Sequence, residues 1–284
     1  MTQPTDPPSP PLLPTNPTGR SVPHSPFLTI IIVSHNTRDD LARCLDSLHA
    51  APPRVSYEIV VVDNESIDGS VDVARRWPDV RVIEVGSNAG FARANNLGLR
   101  ATSSTNVLLL NSDTIVPTGA IDRLVAELDR NPGVAVIGPR LVDGSGRAEL
   151  SFGRMIGPLN ELRQKRLVRS SAVERLTRQR QSPDWVSAAC LLVRRADADA
   201  VGGLDERFFM YTEDVDFCAA IRARGRRILF TPDVEVVHLR GRSAATAPAA
   251  TNDAYRRSQV AFYEKHHPVW APVLKLYLRI RGQL

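Results

Sequence analysis

Three short apolar runs, each closing on a cluster of small polar residues, limit what this chain can fold into more than anything else in it. They are LTIIIV at 28–33 before Ser34-His35-Asn36, YEIVVV at 57–62 before Asp63-Asn64, and VLLL at 107–110 before Asn111-Ser112-Asp113. Runs this short and continuous belong to strands covered on both faces, as in parallel sheets layered between helices. Helical segments separate them. Asp39–His49 carries Leu41, Leu45 and Leu48 at helical spacing and stops before Pro52-Pro53, and a second helix is expected near Ser70–Arg76. A strand at Val80–Val85 and a helix from Gly90 to Arg100, with Phe91, Ala94, Leu97 and Gly98 on its packed face, complete the alternation. The expectation is an α/β fold, a mostly parallel central sheet with helices on both faces. Ligands of such sheets sit outside the carboxyl ends of the strands, and three of those ends are polar here.

The stretch NVLLLNSDTIVP at 106–117 shows what such an end can offer. A carboxylate such as Asp113 at the mouth of a buried strand is a candidate ligand for Mg2+ or Mn2+, which prefer oxygen donors and share them with substrate phosphates. The same residues also read as an ordinary turn ahead of Pro117. Two other nucleotide folds find no support: the chain has neither a P-loop nor a G-x-G-x-x-G between a strand and a helix.

Beyond residue 120 the pattern changes. Ala120–Arg130 reads as an amphipathic helix, Val134–Val142 as a strand, and Asp143–Gly146 as a turn. Phe152–Arg180 is basic and expected to be helical or mobile, and Asp184–Arg194 reads as one strand-like run with Trp185 at its entrance. YTEDVD at 211–216 opens a helix through Arg224, where Glu213, Asp214 and Asp216 would in any case suit the positive end of the helix dipole. Two strands, Arg227–Phe230 and Val234–Val237, end at His238.

Composition narrows the partners. The net charge of +5 is uneven, with Arg and Lys crowding 154–180 and the C-terminal third, which points to anionic partners such as nucleotide phosphates, lipid headgroups or a polyanion. The basic clusters lack interleaved aromatics, so nucleic acid is not expected. Cys44, Cys190 and Cys218 form no CxxC pair and read as reduced core residues of a cytoplasmic protein. Met1–Pro26 is rich in Pro, Ser and Thr without the apolar core of a signal peptide, and is expected to be a disordered leader. No apolar stretch reaches the ~18–20 residues that span a bilayer. The basic, amphipathic tail Asn252–Leu284 suits an anionic membrane surface, the catalytic domain or a second copy in a homodimer alike. The expected divisions are 1–26, a folded domain at 27–245, and a helical tail at 246–284.

Seven segments in order make the chain recognisable: VSHN at 33–36, VVDNESIDGS at 61–70, NAGFARANNLG at 88–98, LLLNSD at 108–113, WVSAACLLVRR at 185–195, MYTEDVDFC at 210–218 and HLRGRS at 238–243. Together they resemble family 2 glycosyltransferases of the GT-A fold, and within these the rhamnosyltransferase-like branch that builds bacterial cell-surface polysaccharide. The resemblance covers residues 28–243. It implies an inverting transferase with a dTDP- or UDP-sugar donor, rhamnose favoured, and a lipid-linked or polysaccharide acceptor, working in the cytoplasm or at the inner face of the plasma membrane.

The resemblance also implies roles. Asp63 stands where the family binds the uracil or thymine base, and Ser34, His35, Asn36, Asn64, Ser66 and Asp68 would line the nucleoside pocket. His35 departs from the aromatic, usually Tyr, common at its place. Asn88, Gly90 and Asn95 resemble the segment that contacts the nucleotide sugar. Asp113 matches the last acid of the DxD motif that holds the divalent cation, with Asn111 in place of the first acid and Ser112 between them. His238 matches a late histidine that often joins the metal. Arg240 and Arg242 would grip phosphate oxygens in forked contacts. In the pair Glu213-Asp214 the second acid would be the general base, taking the proton of the acceptor hydroxyl. Trp185 would offer an aromatic platform to a sugar, or pack in the core. Two rivals remain at this point. One is an inactive nucleotide-sugar-binding module that serves as a partner subunit, against which the retained Asp113, Asp214 and His238 speak. The other is a nucleotidyltransferase, for which SHNTRDD lacks the Gly-rich, basic loop after the first strand.

Overall fold

The computed structural model describes residues 25–158, 160–161, 172–239 and 248–283. The three polar-ended runs form β1 (Leu28–Ser34), β2 (Tyr57–Asp63) and β4 (Asn106–Asn111), with β3 (Val80–Glu84) beside β2. These four strands are mutually parallel in the order β3-β2-β1-β4. Helices α1 (Arg38–Ala50), α2 (Ser70–Ala74) and α3 (Phe91–Arg100) connect them. The sheet continues through β5 (Thr114–Ile115), β6 (Val134–Val142), β9 (Cys190–Arg194) and β10 (Arg227–His238) to eight strands, in the order β3-β2-β1-β4-β9-β6-β10-β5. A separate two-stranded ribbon pairs β7 (Phe152–Gly153) with β8 (Trp185–Val186).

Alternation along each buried strand divides the core. Ile30, Ile32, Leu108 and Leu110 face α1 and α4 (Ala120–Asp129), where they meet Leu41, Leu45, Leu124 and Leu128. Ile31, Val60 and Leu109 face the other way, onto Ala94 and Leu99 of α3 and onto Phe217 and Ile221 of α7 (Glu213–Ala223). Each such side chain contributes about 1.5–3 kcal/mol through burial. Gly98 lets α3 lie close to β1: a Cβ there would come within 2.7 Å of Ile31 Cγ2.

Three expectations need correction, and one strand takes a direction the sequence left open. Residues 184–194 form two strands instead of one, because Ser187–Ala189 leaves the β8 ribbon before β9 enters the main sheet. β9 runs antiparallel to both neighbours, β4 and β6, near the middle of the sheet. Residues 227–237 belong to one strand, because Pro232, which has no amide to give the ladder, makes an irregularity between Thr231 and Glu235 and not a turn. Finally, α3 is covered on two faces, so Ala92, Asn95, Asn96 and Leu99 are buried with Ala94 and Gly98, while Phe91 and Leu97 are only half-buried. The second face is sealed by the loop after α6 (Arg195–Ala200): the Asn96 amide donates to the Leu204 carbonyl at 2.8 Å and accepts the Leu204 amide at 2.9 Å.

Within the basic stretch 152–180, a short helix, α5 (Ala172–Leu176), follows β7; residues 159 and 162–171 lie outside the described residues, as does the expected leader up to residue 24. The three cysteines are free and buried. Burial pushes the Cys44 and Cys218 thiols up to about 12. The tail is helical as expected, as α8 (Pro248–His266) and α9 (Ala271–Ile280). Phe262, Tyr263 and Ala271 pack it against Phe208 and Val215.

Candidate active site

The parallel strands deliver their carboxyl ends to one rim, where an open cleft of about 300 Å3 lies. His35, Asn64, Asn88, Asn111, Ser112, Asp113, Glu213, Asp214 and His238 line it. Ser34, Asn36, Asp63, Ser66, Asp68, Gly90, Asn95 and Trp185 do not, and Arg240 and Arg242 lie outside the described residues.

One wall comes from the ends of β1 and β2. The Ser34 and Thr37 hydroxyls are bonded at 3.0 Å, and Thr37 donates to Ser112 at 2.9 Å, lacing the end of β1 to that of β4. The His35 ring points Nδ1 at the Asn64 carbonyl, 2.7 Å away, so Nδ1 donates and Nε2 is left as an acceptor. Asn88 Nδ2 stands 3.3 Å from that Nε2, and the Asn64 amide donates to Asn88 Oδ1 at 2.8 Å. Behind this wall Asp63 is buried: its Oδ2 accepts the Ser66 amide at 2.9 Å, while its Oδ1 is buried without a hydrogen-bond partner.

Several neighbours serve the turns instead of the opening. The Ser66 hydroxyl accepts the Asn36 amide at 2.9 Å, and Asn36 Oδ1 accepts the Ile67 amide at 2.8 Å. Burial would lift the Asp68 carboxyl, but the Ser70 hydroxyl and the Arg38 and Ser70 amides hold it below its usual range. Asp68 thus binds the first amides of α1 and α2 together, at 2.8 and 3.0 Å. Gly90 adopts φ of +85°, and a Cβ there would meet the Phe209 carbonyl oxygen, so its close approach is to the loop before α7. Asn95 lies inside α3 and donates to the Phe91 carbonyl at 2.9 Å. Trp185 is half-buried among core side chains and its indole donates to the Arg154 carbonyl at 3.0 Å, so core packing describes it here.

The floor is made by strand pairing. β4 ends at Asn111, turns through Ser112 and Asp113, and returns as β5, whose Thr114 pairs with His238 of β10. That register sets His238 Nε2 3.3 Å from Asp113 Oδ1 and 3.4 Å from the Asn111 amide nitrogen. On its other side His238 Nδ1 meets Glu149 Oε2 at 3.1 Å. Burial would lower the His238 pKa, but the bonds to Asp113 and Glu149 outweigh it and raise it to about 9. An imidazole braced by a carboxylate on one nitrogen, with its other nitrogen beside an oxygen donor, is the usual arrangement of a metal-ligating histidine. Oxygen donors with one imidazole suit Mn2+ or Mg2+, with phosphate oxygens and water completing the shell.

The acids form the opposite edge. β9 enters the sheet from this rim, so Ala188 lies beside the end of β4, and its amide donates to Asp214 Oδ2 at 3.2 Å. Asp214 Oδ1 accepts the Val215 amide at 2.8 Å. Burial lifts the Asp214 carboxyl and those two amides oppose it. Burial and then the Asp214 charge push Glu213 well above its ordinary value, and Glu213 Oε2 is buried without a partner.

The pair is held by strained backbone. Tyr211 and Thr212, just before it, take φ of +71° and +66°, at a cost of order 1–3 kcal/mol each. The tail helix α8 sustains them. Ser258 donates to the Met210 carbonyl at 2.7 Å, and Tyr255 packs edge-on against Tyr211. Buried Asp216, a turn further on, receives Lys265 at 2.8 Å and His266 at 2.6 Å.

Reading the sequence misses Thr37, Glu149, Ser187–Ala189 and Met210–Thr212 as parts of the site. Positive φ at Tyr211 and Thr212 leaves no mark in composition, and Glu149 is one acid in an ordinary polar turn.

Residues 29–200 match the family model described as Glycosyl transferase family 2. The chain is similar to the N-acetylglucosaminyl-diphospho-decaprenol L-rhamnosyltransferase of Mycobacterium tuberculosis, at 31% identity over 90% of this chain and 90% of that one. It is similar to Rhamnosyltransferase WbbL of Escherichia coli at 25% identity over 74% of this chain and 82% of that one. Among solved structures, the mannosyltransferase PcManGT from Pyrobaculum calidifontis, in complex with GDP-Man and Mn2+, superposes with a TM-score of 0.61 at 21% identity. The match covers 89% of this chain and 69% of that one.

Proposed function

The chain belongs to glycosyl transferase family 2 and is a glycosyltransferase of the GT-A fold, and from that premise we propose its reaction: inverting transfer of a sugar, rhamnose, from a dTDP- or UDP-linked donor to a lipid-linked or polysaccharide acceptor. The two rhamnosyltransferase relatives support the sugar, and the diphospho-decaprenol in the name of one supports a lipid-linked acceptor.

The observation that carries the reading is the pairing across one cleft of Asp113 and His238 with Glu213 and Asp214. The donor nucleoside lies against His35, Asn64 and Asn88, the wall that buried Asp63 supports from behind. Asp113 and His238, with Asn111, would hold Mg2+ or Mn2+, which neutralises charge on the departing diphosphate. Asp214 accepts the proton of the acceptor hydroxyl. Its two backbone bonds favour the charged form and aim it, while burial makes it a stronger base. Burial and the Asp214 charge bias Glu213 more strongly toward its neutral form, the division of labour that unequal surroundings impose on paired carboxyls.

The test is a panel of dTDP- and UDP-sugars scored for donor turnover with Mn2+, Mg2+ or EDTA, on wild type and Asp214→Asn. The reading expects turnover of dTDP-rhamnose with a divalent cation and a loss of at least ~100-fold in Asp214→Asn with donor binding retained. Full activity of Asp214→Asn removes the base assignment. Silence toward every donor with every metal favours the inactive binding module.

A further inference from the structure

Helix α9 is apolar on two sides. Its inward side, Ala271, Leu274 and Leu278, packs on the rest of the tail. Its outward side carries Val273, Leu276, Tyr277 and Ile280 at helical spacing, and Val269 and Trp270 in the turn before it extend the patch, with exposures from 51% at Trp270 to 83% at Val269. Only two other large hydrophobic side chains among the described residues, Ile67 and Phe209, are comparably exposed, so this is a concentrated patch and not the ordinary scatter of surface apolar groups.

The charges around the patch name its partner. Lys265 is engaged by Asp205 and Asp216 and Lys275 by Glu264, which leaves Arg279 and Arg281 as the cations beside the stripe. Arg279 and Arg281 are exposed, and Arg281 stacks 6.0 Å over the Tyr277 ring, which places a cation at the edge of the apolar stripe. Trp and Tyr favour the boundary between water and acyl chains, and Lys and Arg favour anionic headgroups. Ten residues are too few to cross a bilayer, and among the described residues no helix is long and apolar enough to do so. A helix of this kind lies in the plane of the surface.

We propose that the outward face of α9 is a docking surface for an anionic lipid bilayer. It holds whichever sugar the cleft transfers. Because α8 is bonded to the loop before Glu213 and to Asp216, docking through α9 also fixes the acid edge of the cleft relative to the membrane surface.

Flotation of the full chain with vesicles tests this. Wild type floats with phosphatidylcholine vesicles containing about 30 mol% phosphatidylglycerol, floats poorly with phosphatidylcholine alone, and is released by high salt. Val273→Ser/Leu276→Ser/Ile280→Ser lowers the partition coefficient by about tenfold or more, with thermal melting and nucleotide-diphosphate binding unchanged because these side chains touch neither core nor cleft. Arg279→Gln/Arg281→Gln weakens binding to the anionic vesicles and flattens its salt dependence. Hydrogen exchange on wild type, which needs no variant, shows new protection at residues 269–281 when anionic vesicles are added. Three results overturn the proposal: wild type that stays unbound with anionic vesicles, a triple serine variant that floats equally well, or a concentration-dependent dimer abolished by that variant, which assigns the face to a second copy.

Discussion

Replacing Gly90 by alanine puts a methyl group where the Phe209 carbonyl oxygen already lies. Gly90 has φ of +85° and ψ of 167°, a region that only glycine visits readily, so an alanine held there costs about 1–3 kcal/mol before any contact is considered. Its Cβ would also fall inside contact distance of Phe209, forcing the loop outward and stretching the Phe91 amide's 2.7 Å bond to the Phe209 carbonyl. Overpacking of this kind adds about 1–3 kcal/mol, so Gly90→Ala should lose roughly 2–6 kcal/mol in urea unfolding, a large fraction of the stability of an ordinary domain. The loop that moves leads through Tyr211 and Thr212 into Glu213-Asp214. The expected pattern is therefore a large fall in kcat, with faster hydrogen exchange at residues 208–212 and donor KM little changed. Unchanged unfolding in Gly90→Ala would refute the clash. Weakened donor binding without faster exchange at 208–212 would return Gly90 to the role the family resemblance implies, contact with the nucleotide sugar.

Three further outcomes follow from the same geometry. Glu213 has its pKa raised by burial, so the folded state holds that proton more tightly than the unfolded chain, and stability falls as pH rises from about 4.3 toward the folded value, by up to ~1.4 kcal/mol per pH unit; Glu213→Gln should flatten that slope in melts between pH 5 and 7, and an unaltered slope would show that Glu213 is not its source. Glu149→Gln removes the charge behind His238 and should weaken Mn2+ binding about tenfold in titrations with nucleotide diphosphate present, whereas unchanged affinity would separate His238 from the metal. Asp216→Asn loses the charge that receives Lys265 and His266, and should destabilise by about 1–3 kcal/mol and open α8 to limited proteolysis; intact resistance would mean that apolar packing alone holds the tail.

The donor side of the site was legible because its residues stand at the ends of strands that announce themselves. His35, Asn64 and Asp113 each follow a run that can only be buried, and parallel alternation forces those ends onto one rim, although Ser34 and Asp63 themselves stay out of the cleft. The acid pair was legible by resemblance, as a carboxylate couple opening a helix. The support of His238 was not. Resemblance alone set it at the metal with Asp113; it reaches Asp113 through the pairing of a two-residue strand with the far end of β10, and Glu149 reaches it across a turn that no periodicity marks. Nor do four apolar residues and an arginine state which way they run, so β9 could not be oriented from Cys190–Arg194. Trp185 shows the opposite difficulty: an aromatic beside a site pattern serves the core or a sugar equally well until its indole is seen bonded to the Arg154 carbonyl.

The reversed strand has a consequence for how such a chain can diversify. Because β6 leaves the sheet at the rim and β9 re-enters there, the excursion between them is tethered at neighbouring points on that rim. Apart from Glu149 and the β7–β8 ribbon, it can change in length without shifting the pairing of β1 with β2 or β4. The pairing of β1 with β2 and β4 can therefore stay fixed while that excursion varies, which separates the part of the scaffold free to change from the part that is not.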